Sequence, residues 1–184
     1  PTFILAVPRV FEKIYAGAEE KAAAAGKGRL FNTAAATAIA YSEALDSAAR
    51  GGTGPSLALR LRHAAFDRLL YPKVRAAFGG DLDIAISGAS PLSPQLAHFF
   101  RGSGIAVLEG YGLTETTAPA SVNTLPLTRV GTVGLPMPGN AIRIADDGEV
   151  LVSGVGVFTG YHRNPEATAE AFSGGWFHTG DLGT

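Results

Sequence analysis

The chain has 184 residues, 46% of them hydrophobic and 17% charged, with 15 Lys and Arg against 16 Asp and Glu and a formal net charge of -1. Such a composition is globular, and a domain of this length buries roughly 70% of the surface its unfolded chain exposes. With no basic run and no cysteine, the chain gives no reason to expect a nucleic-acid partner, and a disulfide framework, thiolate metal sites and a cysteine nucleophile are excluded.

Pro8 suits a first helical position, and Val10, Phe11, Ile14 and Ala18 recur on one face until Gly26, which predicts an amphipathic helix. A second helix is predicted from Gly28, with Leu30, Phe31, Ala34, Ala38, Tyr41 and Leu45 in helical period as far as Arg50, before Gly51 to Pro55 stop it. A third runs from Leu57 through Leu61, Ala64, Ala65 and Leu69 toward Tyr71 and Pro72, with a short continuation to Phe78. Residues 1–80 are thus expected to be mainly helical.

Leu82 to Ile86 reads as a strand that ends in a loop, Ser87 to Leu92. Ser93 is a candidate N-cap with Pro94 behind it, and Leu96, Ala97, Phe99 and Phe100 supply the buried face of a helix. A second strand follows at Ile105 to Leu108. Residues 81–128 therefore form a βαβ unit with parallel strands and a right-handed crossover, and ligands in such sheets gather at the carboxyl ends of the strands. Two loops are expected there, Ser87 to Leu92 and Glu109 to Thr117.

Residues 129–184 turn β-rich. Ile142 and Ile144 alternate around Arg143, Asp146-Asp147-Gly148 forms a turn, and Val150 to Val152 returns as a hairpin. Asn164-Pro165 opens a short helix to about Phe172. The expected fold is mixed α/β, with helices on a largely parallel sheet and a β-rich segment toward the C-terminal end.

No stretch offers the ~20 apolar residues that a membrane-spanning helix needs. Ile4 to Val7 and Ala34 to Ala40 are too short or too broken, and the first residues lack a signal-peptide pattern. The expectation is a soluble, cytoplasmic protein, with peripheral membrane contact of a longer parent left open. A Pro1 start, a single methionine at Met137 and a Gly/Asp-dense end at Thr184 suggest an internal piece of that parent.

Glu109-Gly110-Tyr111-Gly112-Leu113-Thr114-Glu115-Thr116-Thr117 is the segment richest in chemistry. Gly110 and Gly112 let the main chain come close to a ligand, Tyr111 offers an aromatic face, and Thr114 sets a hydroxyl beside the Glu115 carboxylate. These groups suit a base, a phosphate and Mg²⁺. The competing reading makes Thr114 the cap of a helix whose first turn holds Glu115. Pro119 weakens it, because Ala118 is steered away from helical conformation and little more than one turn can form. Ser87-Gly88-Ala89-Ser90-Pro91 can be a plain strand-to-helix connection, and Asp181 a plain turn residue. In a nucleotide site, however, the two acceptor oxygens of Asp181 could hold both hydroxyls of a ribose. His63, His98, His162 and His178 show no metal-ligand spacing and read as surface or structural residues. The nucleophile elbow, the Walker loop and the full dinucleotide fingerprint are all missing.

Tyr111-Gly112-Leu113-Thr114-Glu115-Thr116 and Thr179-Gly180-Asp181, in that order, resemble the adenylate-forming superfamily of acyl-CoA synthetases, luciferases and peptide-synthetase adenylation domains. Ser87 to Leu92 resembles its loop beside the adenine. Gly148 to Gly154, with Gly160-Tyr161 and Asn164-Pro165, resembles its later β-rich motif. Val7-Pro8-Arg9-Val10-Phe11-Glu12-Lys13-Ile14 looks like the long-chain fatty acyl-CoA synthetase branch.

The resemblance implies part of the large N-terminal adenylate-forming domain and a two-step reaction. A fatty acid carboxylate attacks the α-phosphate of ATP, releasing pyrophosphate, and the thiol of CoA then displaces AMP. By the same resemblance, Tyr111 stacks on adenine, while Glu109 and the loop at Gly88, Ala89 and Ser90 meet the base edge. Gly110 and Gly112 complete the cradle, Thr114 touches phosphate, Glu115 holds Mg²⁺, and Asp181 binds the ribose. The family's phosphate loop is expected before Pro1, and its second ribose residue and catalytic lysine after Thr184. The chain alone is then expected not to catalyse adenylation. Two alternatives stand beside this reading: an adenylating protein that loads a carrier protein, and a nucleotide- or acyl-binding module without turnover. Acyl chain length and oligomeric state have no signature in the sequence.

Overall fold

In the computed structural model, which describes residues 1–184 apart from the side chain of Pro126, the chain begins with a strand, β1 (Phe3–Ala6). The sequence reading had treated this apolar stretch only as too short to span a membrane. Four residues carry too little periodicity to mark a strand, and here β1 is defined by its parallel pairing with β2 (Ile84–Ser87), eighty residues away.

The predicted helices follow. They are α1 (Pro8–Ala24), α2 (Gly28–Ala49), α3 (Leu57–Leu69) and the short α4 (Tyr71–Ala76). Ser56 caps α3 by accepting the Leu59 N–H at 3.3 Å. Ser93, the cap expected for α5 (Pro94–Gly102), occupies its position without a side-chain cap bond, and the helix is started by Pro94 and the Ser93 carbonyl. The third strand, β3 (Ala106–Tyr111), pairs parallel with β2.

Rings from four segments interlock in the core. Phe11 meets Phe100 edge-on at 5.7 Å, and Tyr15 meets Phe99 at 4.8 Å, arrangements in which the positive ring edge faces a π cloud. The alanine bias of α2 has a packing cause. Ala34, Ala35 and Ala38 are buried, and a Cβ at Gly102 of α5 would fall on the Ala38 carbonyl, so the two helices touch backbone to backbone. A partly buried ion pair, Asp46 with Arg101, ties the same helices.

The parallel character ends within β3. Ala106–Glu109 pairs with β2, whereas Gly110 and Tyr111 pair antiparallel with β4 (Ser121–Val122), which pairs with β5 (Leu135–Pro136). A second, antiparallel sheet has the order β6 (Asn140–Ile144), β7 (Glu149–Gly154), β9 (Trp176–Leu182), β8 (Phe172–Ser173). The β6–β7 hairpin turns where Asp146-Asp147-Gly148 predicted it. Asn164 caps α6 (Pro165–Ala171) through its side-chain oxygen, which accepts the Ala167 N–H at 3.1 Å. No helix among the described residues is long and apolar enough to cross a membrane.

Candidate functional site

Glu109, Gly110 and Tyr111, expected in a loop, belong to β3 itself. Alternation along the strand puts Glu109 and Tyr111 on one face. Glu109 stands opposite Ser87 and Tyr111 opposite Ser121, and both of these serine hydroxyls are buried with no partner among the described residues. The Glu109 carboxylate is already engaged. One oxygen accepts the Leu92 N–H at 3.2 Å and the other the Gly131 N–H at 3.3 Å, tying the loop after β2 to the loop before β5. Burial pushes its carboxyl above the usual range, while the two N–H donors pull the other way.

The loop after β2 keeps Gly88 against the end of β1, where its N–H reaches the Ala6 carbonyl at 3.3 Å. Ala89 adopts a left-handed φ of 69°, and Ser90 is exposed beside it. Gly112 has a closer neighbour than any ligand. A Cβ there would stand 2.8 Å from the Ala120 nitrogen, so the glycine admits the chain returning into β4.

Thr114–Thr116 forms a single 3-10 turn, as Pro119 led us to expect. Thr116 makes its cap bond, accepting the Leu113 N–H at 2.9 Å. Thr114 is exposed; its carbonyl accepts the Thr117 N–H at 3.1 Å, and its hydroxyl has no hydrogen-bond partner among the described residues. The turn is pinned from the C-terminal side: the Phe158 N–H reaches the Glu115 carbonyl at 2.7 Å, and the Thr117 hydroxyl donates to the Gly156 carbonyl at 2.8 Å. Tyr161 donates its phenol to Glu115 Oε1 at 3.1 Å. Its ring is held edge-on by Phe158 at 4.8 Å. Sequence reasoning had seen Tyr161 only as part of a motif, since nothing at a separation of 46 residues announces the contact.

Asp181 lies on β9, a strand rather than a turn. Tyr111 donates its hydroxyl to Asp181 Oδ2 at 2.7 Å across the two sheets. Burial, and then this bond to a carboxylate, pushes the Tyr111 phenol up to about 12. The preceding residues of β9 are fixed by Glu149, whose carboxylate accepts the Gly180 N–H at 2.9 Å and pairs with His178 Nδ1 at 2.7 Å, and these bonds lower its pKa. Tyr111 and Asp181 line a cleft of about 530 Å³ together with Ser121, Gly131 and Val150. An apolar groove of about 730 Å³ among α1 to α4 shares no residue with it.

The cleft thus holds an aromatic face, an exposed carboxylate and main-chain groups, a set suited to a nucleoside. No cluster of three or more metal-ligating side chains exists among the described residues. Mg²⁺ does not require one, because it is commonly held by one or two carboxylates plus phosphate and water. Glu115 fits that requirement, having one oxygen on Tyr161 and the other without a protein partner.

A family profile described as AMP-binding enzyme matches residues 1–162. The chain is 56% identical over 183 residues to the long-chain-fatty-acid–CoA ligase FadD15 of Mycobacterium bovis, covering 100% of this chain and 30% of that protein. It is 35% identical to long chain acyl-CoA synthetase 2 of Arabidopsis thaliana, covering 100% of this chain and 29% of the relative. Among solved structures, apo MatB from Rhodopseudomonas palustris aligns with a TM-score of 0.55 and 34% identity, over 67% of this chain and 27% of that one. The chain therefore spans about 30% of the length of the curated relatives it matches.

Proposed function

The chain belongs to the AMP-binding enzyme family, and from that membership we propose that it carries the adenosine- and Mg²⁺-binding part of a fatty acid–CoA ligase acting on long-chain acids. The observation that carries the proposal is the 2.7 Å bond between Tyr111 and Asp181, which brings together two motifs seventy residues apart at one cleft. Their order and types are those a bound adenosine asks for, with a ring to stack on the base and a carboxylate for the ribose diol. Base stacking on an aromatic side chain contributes ~1 to 3 kcal/mol where it has been tested by substitution.

The residues divide the work along the nucleotide. The main chain at Gly88 and Ala89, with Ser90 beside it, borders the base, and Glu109 holds the two surrounding loops in place through Leu92 and Gly131. Gly110 and Gly112 let the chain returning through Ala120 and Ser121 lie close against β3. Thr114 offers its hydroxyl to phosphate, and Glu115 is the side chain that would hold Mg²⁺. That ion, when bound, would offset the negative charge on the phosphoryl oxygens during attack. The reaction transfers the AMP moiety to the fatty acid carboxylate with loss of pyrophosphate. The CoA thiol then takes the acyl group and AMP leaves. ATP, Mg²⁺ and CoA are the cofactors and co-substrates this reading requires.

The test is acid-dependent pyrophosphate release from ATP, followed by thioester formation, measured on the full-length protein that carries this chain. Long-chain acids are expected to exceed short-chain ones, CoA to outperform a carrier protein as acceptor, and Glu115→Ala to lower kcat by at least about a hundredfold. AMP binding without any pyrophosphate release would replace the proposal by a binding module.

A further inference from the structure

Asp181 is an exposed carboxylate on the last strand, and an exposed aspartate ordinarily rotates freely about its side-chain bonds. Its main chain is held well. The Asp181 N–H reaches Thr179 Oγ1 at 3.1 Å, and that hydroxyl donates to the Val150 carbonyl at 2.7 Å. The neighbouring Gly180 N–H is fixed by Glu149. None of these bonds touches the carboxylate itself. Among the described residues its one side-chain partner is the Tyr111 hydroxyl.

Tyr111 can set that orientation because its ring is held by packing. It lies on β3, opposite Ser121, and packs against the small apolar cluster of Ala120, Val150 and Val152. No strand pairing links β3 with β9, so the phenol bridges two sheets that otherwise meet only through loops and side chains. The bond uses one lone pair of Oδ2. A carboxylate offers about four, so Oδ1 and the rest of Oδ2 can still accept two hydroxyl donors. The tyrosine therefore orients the carboxylate without competing with a diol.

We infer that the Tyr111 hydroxyl is the positioning group for Asp181, holding its carboxylate in the plane that accepts both ribose hydroxyls, and that it thereby sets the preference for ribonucleotides over deoxyribonucleotides. The inference rests on the proposed nucleotide reading of the cleft. It separates two roles within one side chain: the ring contacts the base, and the hydroxyl acts through the aspartate.

The experiment measures binding of AMP and of 2′,3′-dideoxy-AMP to the full-length protein, for wild type, Tyr111→Phe, Asp181→Asn and the double variant, with thermal melts as a folding control. Phenylalanine keeps the stacking face. Tyr111→Phe is expected to weaken AMP about tenfold to a hundredfold, the scale of one hydrogen bond to a charged group, and to leave dideoxy-AMP unchanged. In the Asp181→Asn background the same change should have no further effect, because coupled residues are not additive. Equal weakening of both nucleotides, or no weakening of either, would overturn the positioning role. Should wild type bind the two nucleotides alike, the ribose role of Asp181 fails first, and with it the reading on which the inference stands. If Tyr111→Phe does not fold, Asp181→Glu gives the second test: moving the carboxylate off the phenol should erase the AMP preference, and a retained preference would overturn the inference.

Discussion

The resemblance implied that Glu109 meets a base edge, and in the structure both its carboxylate oxygens accept main-chain N–H groups from loops on opposite sides of β3. Glu109→Gln keeps one acceptor oxygen and removes the titration, so comparison with it isolates the effect of ionising this group. The pH dependence has a definite sign. Burial raises the folded pKa above the ordinary 4.5, so the stability this group contributes is fully present below that value and is lost as pH rises through the raised one. Wild-type stability measured against Glu109→Gln should therefore fall as pH rises above 4.5, and a rise would reverse the assignment. Tyr161 is the opposite case, visible in the sequence only as part of a motif and brought onto Glu115 by the structure. Tyr161→Phe removes the phenol from Glu115 and should raise the Mg²⁺ concentration needed for half-maximal activity by about threefold, with little change in thermal stability, since the residue is exposed.

At the scale of elements, the helices and the hairpin were legible because each repeats its own period or carries its own stop signals. Pro8, the break between Ala24 and Gly28, and Asp146-Asp147-Gly148 mark boundaries that need no tertiary context. β1 and β9 were not legible as strands. Four residues of β1 acquire meaning only beside β2, and the glycine in Thr179-Gly180-Asp181 imitates a turn. The contact of α2 with α5 was equally hidden, because nothing local tells Gly102 that Ala38 will be its neighbour. Gly102→Ala should destabilise the protein by about 3 kcal/mol in thermal or urea denaturation, since the added carbon meets main chain that cannot rotate away. A loss below 1 kcal/mol would show that the helices can separate at little cost.

The molecule as a whole is unevenly supported. The larger apolar cluster gathers α1 to α5 with the parallel strands, whereas Ala120, Val150 and Val152 form a much smaller one under the second sheet. Amide exchange should accordingly be slower in β1 to β3 than in β6 to β9, and AMP should slow it in β9 and β4, which flank the cleft. Uniform protection would contradict that division. The site motifs could be found in the sequence as words, but their meeting could not. It depends on Tyr111 and Asp181 arriving from different sheets, and long-range geometry of that kind has no local trace. One further property follows from the way β3 changes partner between Glu109 and Gly110. Adding or deleting a single residue there would turn Tyr111 to the opposite face while the first half of the strand stayed in place. Insertions and deletions in homologous genes should therefore avoid this strand and accumulate in the connections before and after it.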